Sequence, residues 1–193
     1  MPAITDTIYV RNMVCQCCVR VICEEMTKAG VGVLAAELGK LMISYDDQSI
    51  DREGIRLVLK RNGFELVTDR ESIIVEQIKQ AVIELVHYAN NVNSIIRKSD
   101  YIVERIGISY QTISKLFSKH ERITLEKFII LHKIEKIKEL LMCNEYTLSE
   151  IAYMMDYSSV QHLSMAFRKN AGVTVSEFKA KPEKYNQPLD HLD

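Results

Sequence analysis

Three cysteines lie close together near the start of the chain, at Cys15, Cys17 and Cys18. Thiolates spaced as Cys15 and Cys18 can converge on one soft ion, and the N-terminus of a following helix would favour the thiolate form. Two or three sulfur ligands suit Cu(I) better than Zn(II), which takes four, so the segment predicts a site for Cu(I) or another soft metal ion. Two alternatives stay open: a thiol pair that senses oxidants by closing to a disulfide, and a relic site in a domain used for dimerisation or regulation.

A second set of candidate residues lies in the C-terminal half, where the sequence contains a degenerate repeat. Ile102-Val103, Ile106 and Ser109 correspond to Ile151-Ala152, Met155 and Ser159, and then Ile113 and Phe117 correspond to Leu163 and Phe167. Each unit is predicted to be a short helix, a tight turn and a second helix that begins at a serine cap. Gly107 suits the positive φ of such a turn, whereas Asp156 near the second turn tolerates it less easily. The repeat therefore predicts two helix-turn-helix units, at about 99–120 and 147–170.

One helix is predicted to join the two units. Between Thr124 and Met142, Phe128, Ile134, Ile137 and Leu141 fall on one side of a helix. A helix of about 18 residues spans ~27 Å, and successive major grooves on one face of DNA lie ~34 Å apart. A single chain of this design could present two helices to two neighbouring grooves.

The distribution of charge favours nucleic acid more than its sum does. The formal net charge is −1 at pH 7, which is not typical of a nucleic-acid binder as a whole. However, 109–120 and 158–169 contain no acidic residue, and they carry Lys115, Lys119, Arg168 and Lys169. The five histidines are scattered and no catalytic set is visible, so we do not expect an enzyme.

The pattern of the first third of the chain differs from that of the rest. From residue 6 to about 68 it predicts strand, helix, strand, strand, helix, strand, with a hairpin around Gly39 and a helix stop at Asn62-Gly63. This order predicts an α+β, ferredoxin-like βαββαβ domain over 1–70. After a boundary near Asp69 to Ser72, helical spacing predicts an all-α double helix-turn-helix domain over 71–193.

The chain from about Glu76 to Lys181 resembles the AraC/XylS family of transcription regulators. The resemblance is carried by Ile151-Ala152-Tyr153-Met154-Met155-Asp156-Tyr157-Ser158-Ser159, then Leu163, Phe167-Arg168-Lys169 and Gly172-Val173-Thr174. The sequence departs from the family at Asp156, where Gly is usual, at Leu163, where Phe is frequent, and at Val175, where Pro is common. The resemblance implies a regulator that binds double-stranded DNA through both units.

By that resemblance, contacts to DNA would come from the second helix of each unit. They are assigned to Tyr110, Gln111, Ser114 and Lys115 in the first unit, and to Val160, Gln161, His162, Ser164 and Met165 in the second. The residue types suit the assignment, because Gln can pair bidentately with adenine, Val and Met can meet a thymine methyl, and Lys or Ser can hold phosphate or guanine. Lys119 and Lys169 suit either a phosphate contact or a solubilising surface charge.

Residues 6 to 68 resemble the heavy-metal-associated domain of copper chaperones and metal-transporting ATPases. The family motif is Gly-Met-x-Cys-x-x-Cys, and this chain has Asn12 in place of the Gly and an additional Cys17. Carried over by position, Cys15 and Cys18 would be the metal ligands and Met13 a buried support, while Cys17 would point away or act as a third ligand.

Together these features predict a cytoplasmic DNA-binding transcriptional regulator that responds to a soft metal through its cysteine segment. No apolar run approaches the ~20 residues that cross a bilayer, and the first residues lack the pattern of a leader, so no membrane partner is expected. RNA polymerase and a second copy of the chain are candidate partners. The alternatives are a thiol redox-responsive regulator, or a copper carrier whose helical half is a docking module.

Overall fold

The computed structural model describes residues 3–88 and 98–185. The chain divides into two compact units, Met1–Gln80 and Ala81–Asp193. Residues 89–97 and 186–193 of the predicted second domain lie outside the described residues.

The first unit alternates strands and helices in the predicted order. Its elements are β1 (Ile4–Arg11), α1 (Gln16–Lys28), β2 (Gly32–Glu37), β3 (Lys40–Tyr45), α2 (Arg52–Arg61) and β4 (Glu65–Val67). In the described chain these strands form a sheet of order β2-β3-β1-β4 in which every neighbouring pair is antiparallel. Gly39 turns the hairpin at φ 68°, and Gly63 ends α2 at φ 81°, as their positions in the sequence predicted.

The core of this unit follows from the two periodicities in the sequence. Ile8 and Val10 alternate with more exposed neighbours along β1 and are at most 1% exposed. Ile22 and Met26 recur at helical spacing on α1 and are equally buried. The sheet and its helices thereby share one apolar interior.

Helix α3 (Arg70–Ile83) carries the division between the units within its own length. Its first part belongs to the first unit, where Arg11 Nε donates to Glu76 Oε1 at 3.1 Å and Gln77 Nε2 lies 3.5 Å from Tyr9 Oη. Glu76 is buried, so its pairing with Arg11 compensates for the loss of hydration. The two compact units thus divide between Gln80 and Ala81, and the domain boundary near Asp69 to Ser72 stays a prediction.

The second unit is helical throughout its described residues. A π-helical segment, Glu84–Tyr88, follows α3 directly. The helices after it are α4 (Lys98–Ile106), α5 (Tyr110–His120), α6 (Leu125–Cys143), α7 (Leu148–Met154), α8 (Val160–Ala171), α9 (Val175–Ala180) and α10 (Pro182–Tyr185). The connecting helix predicted between Thr124 and Met142 is confirmed as α6, which has 19 residues.

Side-chain caps determine where most of these helices begin. The hydroxyls of Ser109, Thr124, Thr147, Ser159 and Thr174 each accept a hydrogen bond from the backbone N–H three residues later. Such a bond satisfies one of the donors that a helix leaves free at its first turn. The caps thus place α5 and α8 at equivalent points of the two repeat units.

Candidate nucleic-acid interface

Helices α5 and α8, called here the reading helices, have the same pattern of burial. From 111 to 120 and from 161 to 170 the two helices agree at every position in being buried, half-buried or exposed. Ile113 and Phe117 are fully buried in the first, as Leu163 and Phe167 are in the second. The repeat seen in the sequence is therefore a repeat of side-chain environment, and each exposed position on one helix has an equivalent on the other.

The turns before the reading helices also match. Gly107 adopts φ 78° in the first turn, and Asp156, which aligns with it, adopts φ 55° in the second. Only Gly takes this conformation without strain, although Asn and Asp tolerate it better than other residues. The second turn contains one more residue, Ser158, whose Oγ lies 2.5 Å from His162 Nδ1. The extra residue is thus bonded to the helix that follows.

The structural repeat extends beyond the residues that predicted it. Phe117 packs on Phe128 of α6 with a ring-centroid distance of 5.2 Å, and Phe167 packs on Phe178 of α9 at 5.6 Å. In both units a threonine cap, Thr124 or Thr174, precedes the second phenylalanine by the same interval. This signal was present in the sequence, where the spacing of the repeat continues past the reading helix.

Most of the predicted contact residues lie on the exposed sides of the reading helices. Gln111, Lys115 and Lys119 are exposed on α5, and Gln161, Met165 and Lys169 are exposed on α8. Met165 is 69% exposed. Ser114 and Ser164 are half-buried at equivalent positions. The equivalent exposed pairs Thr112 with His162 and Ser118 with Arg168 include three residues that the sequence analysis did not assign: Thr112, Ser118 and Arg168.

Several predicted contact residues also have partners within the protein. Tyr110 Oη donates to Glu126 Oε1 at 3.3 Å, and burial and the nearby carboxylate raise the pKa of this phenol. His162 uses Nδ1 toward Ser158, which leaves Nε2 for another partner. Val160 is half-buried and packs against the apolar core of the second helix-turn-helix unit. These contacts leave a smaller part of each side chain exposed to a partner molecule.

The reading helices are free of acidic residues, and their last turns are basic. Lys119 and His120 lie in the last turn of α5, and Arg168 and Lys169 lie in the last turn of α8. Cations near the C-terminus of a helix interact favourably with its dipole. The exposed side of each reading helix can therefore combine amide donors and acceptors with positive charge, as base reading and phosphate contact require.

Behind α5 the aromatic packing continues into a buried histidine. His132 of α6 is 3% exposed, lies 4.4 Å from the Phe128 ring centroid, and has Nδ1 3.3 Å from Nε2 of His87. Burial, assisted by His87, lowers the pKa of His132 to about 3. On the other side of His87, Nδ1 lies 3.5 Å from Glu139 Oε1. Hydrogen bonds from His87 and from Lys136 outweigh burial and lower the pKa of Glu139 to about 2.

The cysteine segment forms a separate candidate site in the first compact unit, Met1–Gln80. Cys15 Sγ and Cys18 Sγ are 3.6 Å apart at the beginning of α1. Burial raises the pKa of the Cys15 thiol, but hydrogen bonds from Cys18 and Cys17 outweigh it, so the net pKa is lowered. Burial and the neighbouring Cys15 raise the pKa of Cys18. Cys15 is therefore the more easily ionised member of the pair.

The backbone of this segment is held by its neighbours. Asn12, which replaces the Gly of the heavy-metal-associated motif, adopts φ 72° and donates to the Gly63 carbonyl at 3.1 Å. Met13 is buried, and its Sδ accepts a hydrogen bond from Gly39 N at 3.2 Å. The left-handed conformation explains why Gly suits the position of Asn12.

The separation of the two thiols suits contact with one soft ion. Their separation is shorter than twice a typical metal–sulfur distance of ~2.3 Å, so both sulfurs can contact the same ion. Cys17 is exposed. Within 3–88 and 98–185, no group of three or more His, Cys, Asp or Glu side chains is arranged to hold a metal. The assignment of Cys17 as a third ligand stays a prediction.

A protein-family model matches the helical part of the chain. Residues 102–181 match the family model described as a helix-turn-helix domain. The xylose operon regulatory proteins of Escherichia coli strains K12 and O157:H7 are each 26% identical over 152 residues, which cover 77% of this chain and 36% of those proteins. The chain thus spans about a third of the length of these relatives.

Two solved structures are also similar in part. The DNA-binding transcriptional dual regulator from Escherichia coli K-12 is 15% identical, with a TM-score of 0.46 over 56% of this chain and 94% of that one. The transcriptional regulator CdpR from Pseudomonas aeruginosa is 11% identical, with a TM-score of 0.47 over 75% of this chain and 46% of that one.

Proposed function

We propose that this chain is a sequence-specific DNA-binding transcriptional regulator that places α5 and α8 in two major grooves. The observation that carries the proposal is the identical burial pattern of the two helices, each with an exposed, acid-free side. Gln111 and Gln161 occupy equivalent exposed positions, so each helix can pair an amide with adenine. Lys115 and Met165 are equivalent but chemically different, so the two half-sites are expected to differ at the bases they meet.

The family match and the relatives support this role over catalysis. The matched relatives are named as regulators, and the helix-turn-helix domain is a module that binds DNA. Among the described residues, no helix is both long and apolar enough to cross a bilayer. A role on chromosomal DNA would place the protein in the cytoplasm. RNA polymerase and a second copy of the chain stay predicted partners.

The first compact unit, Met1–Gln80, is proposed to receive the signal. Its βαββαβ order, its strand order and the position of Met13 support a ferredoxin-like domain of the heavy-metal-associated type. Cys15 and Cys18 would hold Cu(I) or another soft ion, which would draw the two thiolates into one coordination sphere. The same closeness of the sulfurs supports the alternative in which oxidation joins them and DNA binding responds to the thiol state.

Selection from a random duplex pool, followed by fluorescence anisotropy on the selected sequence, tests DNA binding. We expect salt-sensitive, specific binding, and about 1–3 kcal/mol weaker binding for Gln111→Ala or Gln161→Ala. Binding to unrelated DNA should change little, because glutamine does not neutralise phosphate. Gln48→Ala, an exposed glutamine of the first unit, is the matched control. Failure to enrich any sequence at low salt would contradict the proposal.

Competition for Cu(I) against a chromophoric chelator tests the proposed signal. We expect one Cu(I) per chain in the reduced protein and no uptake by the Cys15→Ser, Cys18→Ser double variant. Cys143→Ser controls for a lone exposed thiol. Unchanged uptake in the double variant would remove the metal proposal. A carrier would transfer its metal to a partner yet show no preference among duplexes, which separates that alternative from a regulator.

A further inference from the structure

Helix α6 contacts both helix-turn-helix units through the same few residues. Phe128 packs on Phe117 of the first reading helix, with ring centroids 5.2 Å apart. The preceding residue, Lys127, extends its Nζ to within 2.5 Å of Asn170 Oδ1 near the end of the second reading helix. Adjacent residues of α6 therefore bind α5 and α8.

A second lysine of α6 binds the turn of the second helix-turn-helix unit. Lys133 Nζ donates to the Met155 carbonyl at 2.9 Å and lies 5.3 Å from the centroid of the Tyr157 ring. Met155 is the C-cap of α7, where carbonyls lack partners within the helix and a cation is favoured by the helix dipole. Lys133 thus ties α6 to the turn that precedes α8.

Both polar atoms of the Asn170 side-chain amide have a partner. Its Nδ2 donates to the Ala166 carbonyl at 2.7 Å within α8, which leaves Oδ1 directed to Lys127. At the equivalent position the first unit has His120, so the repeat did not predict this contact. Lys127, Lys133 and Asn170 are all half-buried, which limits competition from water.

From these contacts we propose that Lys127 and Lys133 are positioning residues that hold α8 at one distance and angle from α5. They thereby determine the spacing between the two half-sites that the protein accepts. The length of α6 is about 28 Å for its 19 residues. Its apolar side packs in the core of the second helix-turn-helix unit through residues such as Ile134 and Ile137, and the two lysine contacts add directional bonds to that packing. This inference rests on the proposed function, since spacing has meaning only for a protein that binds both grooves.

The DNA experiment uses the selected duplex with the separation of its half-sites changed by one, two or five base pairs. The wild type should lose about tenfold or more in affinity when the spacing changes by two, because a second site that is out of reach forfeits the advantage of linkage. The Lys127→Met, Lys133→Met double variant should bind the best duplex more weakly and vary by less than about threefold between neighbouring spacings. Methionine retains most of the apolar stem, so the main loss is the hydrogen bonds.

Matched controls separate positioning from general stability. Lys136→Met changes another lysine of α6, whose ion pair with Glu139 lies within the helix, and should keep the wild-type spacing profile. Lys127→Arg should restore the preference, because a donor to Asn170 returns. Asn170→Ala removes the bond to Lys127 from the other side, so it should weaken the spacing preference as Lys127→Met does. This variant keeps the test decisive if a lysine variant folds poorly.

A distance measurement without DNA separates this inference from the proposed function. Spin labels on unnatural side chains at the equivalent positions Ser118 and Arg168 report the separation of α5 and α8 by pulsed electron paramagnetic resonance. The wild type should give one narrow distribution, and the double lysine variant a broad one. An equally narrow distribution in the variant, or an unchanged spacing profile, would overturn the positioning role. A narrow wild-type distribution in a protein that binds no duplex would instead refute the proposed function alone.

Discussion

Protonation of His132 offers a quantitative test of the packing behind the first reading helix. Burial lowers the pKa of His132 from 6.5 to about 3, so the folded protein keeps this imidazole neutral where the unfolded chain takes up a proton. Stability is therefore lost as the pH falls from about 6.5 toward 3. Between pH 7 and pH 5 the loss should be about 2 kcal/mol, at 1.36 kcal/mol for each pH unit below the unfolded pKa.

Glu139 does not interfere in that range. Its pKa is lowered from 4.5 to about 2, so its contribution is present above about 4.5 and is lost only as the pH falls toward 2. The comparison between pH 7 and pH 5 consequently isolates the histidine from the carboxylate beside His87.

The assay is urea unfolding followed by far-ultraviolet circular dichroism, because the chain contains no tryptophan. Wild type and His132→Phe are compared at both pH values, and the variant should show a pH-dependent loss smaller by about 2 kcal/mol. Imidazole nitrogen shifts in nuclear magnetic resonance provide a direct check, since His132 should remain neutral at pH 5. A midpoint above pH 5 for this ring, or an equal pH dependence in the variant, would refute the reasoning.

Three further predictions concern local features of the two units. Gly107→Ala should reduce stability by about 1 kcal/mol in thermal unfolding, because the added Cβ meets no neighbour and only the φ of 78° is strained; an unchanged melting temperature would contradict this. Gln80→Leu should raise the free energy of unfolding by about 1 kcal/mol, because Gln80 Nε2 is buried without a partner in the described part of the chain, and a loss of stability would count against it. Cys15 should react with iodoacetamide at lower pH than Cys18, because their pKa values are lowered and raised respectively; mass spectrometry of partly alkylated protein shows the order, and the reverse order would exclude the assignment.

Local signals in the sequence were sufficient for the elements and for the repeat. Serine and threonine caps, glycine at left-handed turns and apolar spacing act over a few residues, so they can be recognised without knowledge of the fold. The equivalence of Gln111 and Gln161 could be predicted for the same reason: a periodic helix with two buried aromatic or aliphatic anchors leaves one side exposed. The structure added Thr112, Ser118 and Arg168 to that side because exposure, unlike residue type, is measured there directly.

The domain division was not accessible in the same way. An amphipathic stripe in α3 shows that one side of the helix is buried but does not say against which element. The ion pair of Arg11 with Glu76 joins residues far apart in the sequence, and it ties the first part of α3 to the sheet.

By itself, the sequence determined which helices form, where they begin and which of their sides is buried, because those properties depend on neighbours along the chain. Tertiary structure alone decided that Lys127 and Lys133 bind the second helix-turn-helix unit, since a lysine on a helix is ordinarily a solvated charge. Whether such a charge stays in water or joins two units depends on which carbonyl or amide the fold brings within 3 Å of it. That distance is set by the packing of α6 against α5, α7 and α8, and no spacing of residue types encodes it.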